Sequence, residues 1–499
     1  MRIVKDPQMK FGEIPIGDIK FDPKSRDDIP KILLGLQYIY VTPDVRQEVF
    51  KILAELLPNS VIHDDSKANP NKGRKGMEQW KILVLGTLRL GLNDDYDRIH
   101  ELANHHDKVR QMLGHGDWDD DTYYELQTIK DNLRLFTPDM LDRINQIVVQ
   151  TGHVLLKKKG EDVLTGRCDS FVVETDIHYP TDINLLFDAT RKTIQDIASL
   201  CKKLGITDWR QSNYNLRELK KLYESIQRLK HSTSQDEEKR KEKEKEIHKA
   251  YEAYISLANS YIDKAIKTLE KIKENKQDQN VTKKIALIED YIMHATRQAD
   301  QTERRVLKGE KIPHQEKVFS IFQTHTEWIS KGKAGVQVEF GLPVAIMEDR
   351  DGFILHHHIM EKQTDSQIAV EFVRESQTRF PMLRIVSMDK GFHSPANQIE
   401  LKNLLDRAIL PKKGRLSQSD QAREQDPEFI RFRRQHSAVE SAINALEAHG
   451  LDKCPDDGID GFKRYVALAV VARNLHRLGS ILMDRKNKEH RRQRGKNAA

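Results

Sequence analysis

Twice along this chain the hydrophobic period changes, and the two changes bracket a helical block that has to be housed inside a sheet. The segment RCDSFVVETDIHYPTD (167–182) has an apolar run at Phe171, Val172 and Val173, alternates through Ile177 and stops at Tyr179 and Pro180. That pattern predicts a short strand leading into a loop. Residues 190–310 are helical instead. QDEEKRKEKEKEIHK (235–249) is almost entirely charged, and beyond it Ile247, Tyr251, Tyr254, Ala258, Tyr261, Ala265, Leu269 and Ile272 step by three or four residues. A second stripe runs through Ile285, Ile288 and Ile292, so two long helices joined near 274–280 are expected to close into an antiparallel, coiled-coil-like hairpin. A simple structural arm is the plain reading of this block.

Strand signals return after Pro313. VQVEFGLPVAIM (336–347) and the segment 353–360 flank EDRDG, whose Asp351 and Gly352 signal a hairpin turn. A helix fits 365–380, a strand 383–388, a helix 394–406 and a short strand 408–411. The rest, 427–483, reads as helical, with a break around 450–461. The expected fold class is therefore α/β, a mixed sheet flanked by helices and interrupted after its first strand by a long helical insertion.

Residues 1–41 show no strong period and read as an irregular lead-in. From Thr42 the pattern is helical, with Pro43 at the first helical position and Val45, Val49, Ile52, Leu53 and Leu56 at helical spacing. A polar loop at 64–75 follows. Then come helices whose apolar faces carry Trp80, Leu83, Leu85, Leu88, Ile99, Leu102, Val109 and Leu113, and more helix over 121–155. The expected domains are an all-α domain at 42–160, a sheet domain made of 165–190 and 313–482, the insertion at 191–312 and a tail at 483–499.

Composition narrows the class. With 499 residues, and 38% hydrophobic and 32% charged residues, full disorder is excluded, and ~150 residues per domain suggests about three domains. The longest uncharged apolar run near the C-terminus, 466–472, falls short of the ~20 residues of a membrane span. Met1 is followed by Arg2, Lys5 and Asp6, so no secretory signal is expected. Cys168, Cys201 and Cys454 are far apart, which excludes a disulfide framework and fits a reducing cytoplasm. Net charge is +6, from 83 basic against 77 acidic residues, a mild excess that by itself identifies no nucleic-acid partner. The segment RKNKEHRRQRGK (485–496) holds seven Lys or Arg and one acid. It suits either a phosphate contact or a solvated tail.

Three acids stand out by position. Asp176 follows the apolar run of the first strand, Asp389 directly follows strand 383–388, and Glu440 lies on a helix beside Arg433, Arg434 and His436. Carboxylates at the C-terminal ends of strands face the crevice where α/β sheets bind ligands. Converging acids can hold two divalent metals ~4 Å apart, and hard oxygen donors favour magnesium or manganese over zinc. Each acid also has a plainer reading. Most of the 77 acids must be solvated surface, and an acid at a strand end is often only a turn residue.

Other features weigh less. Successive strand residues point to opposite faces, so His356, His357 and His358 are not expected to converge on one metal. His178 and Asp182 could tune a metal shell near Asp176 or be structural, and Lys390 and His393 could touch a phosphate or shape a turn. GKAG (332–335) lacks P-loop spacing, and no Ser-His-Asp elbow or Cys-His pairing is evident.

VVETDIHYPTD (172–182), VSMDKGFHSP (386–395) and FRRQHSAVESAINALEAHGL (432–451) together resemble the insertion-sequence DDE transposases, of the ISNCY-type or a related group. The segment 73–114 also resembles their helical N-terminal region, so the likeness covers most of the chain. The resemblance implies an RNase H-like catalytic domain in which Asp176, Asp389 and Glu440 hold two Mg2+ or Mn2+ ions. It further implies DNA contacts by Lys390, Arg433, Arg434 and His436, binding of terminal repeats by the N-terminal helices, a homodimer that synapses two ends, no membrane association, and a bacterial, cytoplasmic, nucleoid-associated location. Where some relatives carry Tyr, Arg and Lys around the third acid, this chain has Arg433, His436 and Glu447. The expected activity is metal-dependent cleavage of element ends and strand transfer into target DNA. The alternatives are an RNase H-fold nuclease without strand transfer and a non-catalytic DNA-binding protein; a pure coiled-coil scaffold would leave the strands unexplained.

Overall fold

The computed structural model describes residues 3–9, 12–56, 76–116, 121–158, 162–230, 237–274, 278–330 and 338–497, and the fold is mixed α/β and 64% helical. In chain order come α1 (Ile29–Val41), α2 (Pro43–Leu53), α3 (Gln79–Gly91), α4 (Tyr96–His105), α5 (Asp107–Met112), α6 (Leu126–Leu133) and α7 (Pro138–Leu155). Strand β1 (Leu164–Thr175) leads into α8 (Asp182–Lys203), α9 (Ser212–Lys230), α10 (Glu237–Lys273) and α11 (Gln279–Thr302). The rest is β2 (Glu327–Ser330), β3 (Val338–Asp349), β4 (Ile354–Ile359), α12 (Asp365–Arg379), β5 (Leu383–Met388), α13 (Pro395–Leu404), β6 (Arg407–Ile409), α14 (Gln418–Glu424), α15 (Pro427–His436), α16 (Ala438–Leu446), β7 (Lys453–Cys454) and α17 (Gly458–Asn497). The expected loop at 64–75 and the GKAG segment lie outside the described residues.

The sheet has the order β2-β3-β1-β5-β6, with β4 also on β3 and β7 also on β1. β1 is the hinge between two halves. It runs antiparallel to β3, from Gly166 opposite Asp349 to Glu174 opposite Gly341, and parallel to β5, with Cys168 opposite Met388. The β3–β4 hairpin turns through Gly352 at φ +83, a left-handed conformation that favours glycine. Strand β1 has 12 residues and β5 only 6, so β1 continues well past the end of β5, where β7 takes over as its partner.

The chain forms two compact units, 1–176 with 329–499, and 177–328. Two domain expectations change accordingly. The N-terminal helices are not a separate domain at 42–160. One continuous apolar core takes in Ile32, Trp80 and Leu83 from the helices, Phe171 and Val173 from β1, and Val466 and Leu475 from α17. The lead-in is not irregular either: α1 lies within it and buries eight of its 13 residues. Its sequence IPKILLGLQYIYV is apolar on nearly every side, so a helix buried all round shows little periodicity. α1 and α17 touch through glycines. A Cβ on Gly35 would lie 2.4 Å from the Leu475 carbonyl oxygen, and one on Gly479 would lie 1.8 Å from that of Lys31.

α17 carries the one stretch among the described residues that is long and apolar enough to cross a membrane, at Gly458–Glu489, but 72% of that window is buried inside the protein. It is a core helix. The basic segment 485–496 continues this helix rather than forming a separate tail.

The second unit is larger than the expected insertion and is built from four helices, not two. α8 and α9 join α10 and α11 around a core of Leu186, Ile197, Leu219, Tyr254, Ala258, Leu269, Ile285 and Ile288. Both expected stripes face this core, except that Ile247 and Tyr261 are only partly buried. Trp209 Nε1 donates to Thr268 Oγ1 at 3.1 Å, and Tyr254 OH donates to the Ile183 carbonyl at 3.1 Å. The charged run at the start of α10 is mostly exposed.

Candidate active site

Because β1 and β5 are parallel and end their pairing at Cys168 and Met388, the next residues, Asp169 and Asp389, are neighbours across the two strands. Asp389 ends β5 and caps a short 3-10 turn, Lys390–Phe392, accepting the Gly391 N–H. Gly391 sits against a third acid. A Cβ there would be 2.8 Å from Asp365 Oδ2 and 3.2 Å from Asp389 Oδ1. Asp365, the first residue of α12, accepts from Ser170 Oγ at 2.7 Å. Glu440 stands exposed in the first turn of α16.

The charges of these groups reach one another. Burial, and then the Asp389, Asp365 and Glu440 carboxylates, push Asp169 up to about 6, against the opposing Ser170 N–H. Burial and Asp389 also raise Asp365, opposed by the Ser170 hydroxyl and Lys413. Among the described residues none of the four carboxylates has an ion-pair partner. Like charges held together without a close ion-pair partner create a local field that a divalent cation would relieve.

Asp176 lies elsewhere. It is seven residues beyond Asp169, ~23 Å at the rise of an extended strand. It is exposed there, paired with Lys453 at 2.6 Å, and its N–H donates to the Cys454 carbonyl. Asp389 and Glu440 of the expected trio lie within electrostatic reach of Asp169, whereas Asp176 lies apart from them. His178 and Asp182, which follow Asp176, are also engaged: His178 pairs with Asp188 at 3.0 Å, and Asp182 with Arg305.

The expected DNA contacts divide. Lys390 and Arg434 are exposed. Arg433 is exposed as well, with Glu424 at 3.7 Å. His436 instead turns inward, its Nδ1 3.1 Å from the buried Ser387 Oγ. Burial lowers its pKa against the pull of Asp389 and Glu440, so the ring is neutral at pH 7 and is no phosphate-binding cation. Four residues before Glu440, it ties the α15–α16 segment to β5 beside Asp389. Arg167 adds a second tie, donating to the Asp349 carbonyl at 2.7 Å and the Gln435 carbonyl at 3.4 Å. His393 shapes the turn after Asp389, contacting Gln398 at 3.2 Å.

Sequence reasoning missed Asp169 and Asp365. The signal for Asp169 was an acid flanked by Cys168 and the Phe171 run, inside the strand rather than at its end. No family model, curated protein or solved structure matches this chain.

Proposed function

We propose that this protein is a DDE transposase whose acids are Asp169, Asp389 and Glu440, with Asp365 beside them. The observation that carries the reading is that Asp169 sits across from Asp389 and feels the charge of Glu440, so a strand, a second strand and a late helix each deliver one acid to one place. Two of the three segments that resemble such transposases contain Asp389 and Glu440, and the first begins three residues after Asp169. The RNase H-like reading of the domain is supported by a mixed sheet in which an antiparallel hairpin and a parallel pair meet on β1.

The donor set fits Mg2+ or Mn2+: all oxygen, crowded, and without an ion-pair partner among the described residues. Two such ions, when bound, supply an activated water or 3′-hydroxyl and stabilise the leaving oxygen of a phosphodiester. The chain's own part is positioning. Asp389 and Glu440 are exposed and so open to a DNA strand. Ser170 and Gly391 fix the orientation of Asp365 and Asp389, and His436 and Arg167 tie down the end of α15, just before the helix that carries Glu440. Exposed Lys390, Arg433 and Arg434 are placed in sequence beside these acids to neutralise phosphates. Cleavage would free a 3′-hydroxyl that attacks target DNA in line, with no covalent protein intermediate. A homodimer holding two DNA ends, in the bacterial nucleoid, belongs to the same proposal.

The test uses labelled DNA carrying the sequences that flank the coding region, with and without magnesium, comparing wild type with Asp389→Asn. Metal-dependent joined products that vanish in the variant support the transposase. Nicking without joining favours the nuclease, and binding with neither favours a non-catalytic DNA-binding protein.

A further inference from the structure

A second group of metal-ligating side chains lies in the same unit, on the other half of the sheet. Asp142 comes from α7, and His356 and His357 from β4, whose pairing with β3 is interrupted by a register shift beside Glu348. One ligand atom of each lies within 4.8 Å of the others. Three residues in a row on a strand do not converge, but two of them do here, joined by an acid from a distant helix. His358 is engaged elsewhere, with Gln363 at 2.9 Å.

Three buried polar atoms at this point have no hydrogen-bond partner: Asp142 Oδ1, His356 Nδ1 and His357 Nδ1. The His356 side chain is only 5% exposed, and its Nδ1 is 3.8 Å from Asp142 Oδ1, too far for a hydrogen bond. The other ends of His356 and Asp142 are already committed. His356 Nε2 is 2.9 Å from Glu375 Oε2, so that nitrogen carries the proton and leaves a lone pair on Nδ1. Asp142 Oδ2 accepts from Arg379 Nε at 2.9 Å and Gln146 Nε2 at 3.3 Å. Orphaned buried acceptors are costly singly, and three facing one another call for one shared cation.

We propose that Asp142, His356 and His357 form a transition-metal site, with zinc the ion it suits best. Two imidazoles and one carboxylate select zinc, cobalt or nickel over magnesium, and the fourth tetrahedral position falls to water. Glu375 on His356 is the outer carboxylate that orients a metal-binding histidine. The ion would fasten α7 to β4, with α12 held through Glu375 and Arg379. This site is independent of the acid cluster and does not depend on the transposase reading.

The experiment is titration of the chelator-treated full chain with ZnCl2 and CoCl2, read by calorimetry, by the visible absorption of bound cobalt, and by thermal unfolding. The expected result is one equivalent of zinc bound, a four-coordinate cobalt spectrum, and a rise in Tm of a few degrees that persists in Asp389→Asn. His357→Gln and Asp142→Asn each abolish this binding, Glu375→Gln weakens it ~10-fold or more, and His358→Ala leaves it unchanged. Circular dichroism confirms that each variant is folded, and Glu375→Gln, which keeps all three ligands, decides the matter if a ligand variant is not. No zinc bound at tenfold excess, or zinc bound equally by wild type and Glu375→Gln, overturns the proposal.

Discussion

Asp169 and Asp389 occupy the first positions past the Cys168–Met388 pair on two parallel strands, so two carboxylates stand side by side where β5 ends and β1 continues. The crowding has a thermodynamic consequence. Asp169 is held at about 6, above the usual carboxylate range, chiefly by burial and then by its acidic neighbours. Between pH ~4 and ~6 the folded protein therefore keeps a proton that the unfolded chain has released, and stability falls as pH rises through that window. Asp169→Asn removes the effect. The variant should be more stable than wild type at pH 7 by on the order of 1–2 kcal/mol, a difference that shrinks towards zero near pH 4, measured by urea unfolding.

Magnesium should act on the same charges. A cation binding only the folded acid cluster raises stability by mass action. Millimolar MgCl2 should raise the Tm of wild type, and Asp169→Asn or Asp389→Asn should lose most of that rise. An equal rise in wild type and both variants would place magnesium elsewhere.

His436 and Arg434 should fail in different ways. His436 ends α15 and faces Ser387, anchoring the chain just before the helix of Glu440, so His436→Ala should cut the cleavage rate while leaving DNA affinity near wild type. Arg434 is exposed, so Arg434→Ala should weaken DNA binding and lower its salt dependence by about one counterion. Filter binding across a salt series, beside single-turnover cleavage, separates the two.

The contact between α1 and α17 admits no side chain at its glycines. Gly479→Ala puts a methyl into the Lys31 carbonyl and Gly35→Ala one into that of Leu475. Each should destabilise the protein by about 1–3 kcal/mol or more, read as a lower urea midpoint. Asp176→Asn removes only an exposed ion pair with Lys453 and should change stability by less than ~1 kcal/mol.

Much of the sheet was legible because its strands obey local rules. The strand at 383–388 coincides with β5, the hairpin turn falls at Asp351 and Gly352, and helix 365–380 matches α12 to within a residue. The positions of Asp389 at the end of a strand and of Glu440 on a late helix were legible for the same reason, since periodicity defines both elements. Asp169 was not, because relative strand length is a property of the sheet. An acid at the end of β1 reads as facing the crevice, yet β1 outruns β5 and the crevice lies beside its middle. α1 escaped because burial on every side erases periodicity. The short β2 and β7 carry too few residues to show an alternation. The metal group at Asp142, His356 and His357 depends on a contact between residues more than two hundred positions apart and on a local shift in β4, neither of which spacing reveals.

The most direct test compares Asp169→Asn with Asp176→Asn in the magnesium-dependent cleavage and joining reaction, with both variants shown to be folded and to bind the same DNA. The structure-based assignment predicts that Asp169→Asn lowers the rate by ~100- to 1000-fold, as loss of a group that stabilises transition-state charge does, while Asp176→Asn stays within a few-fold of wild type. Full activity in Asp169→Asn together with loss in Asp176→Asn would contradict it and return the first acid to the end of β1.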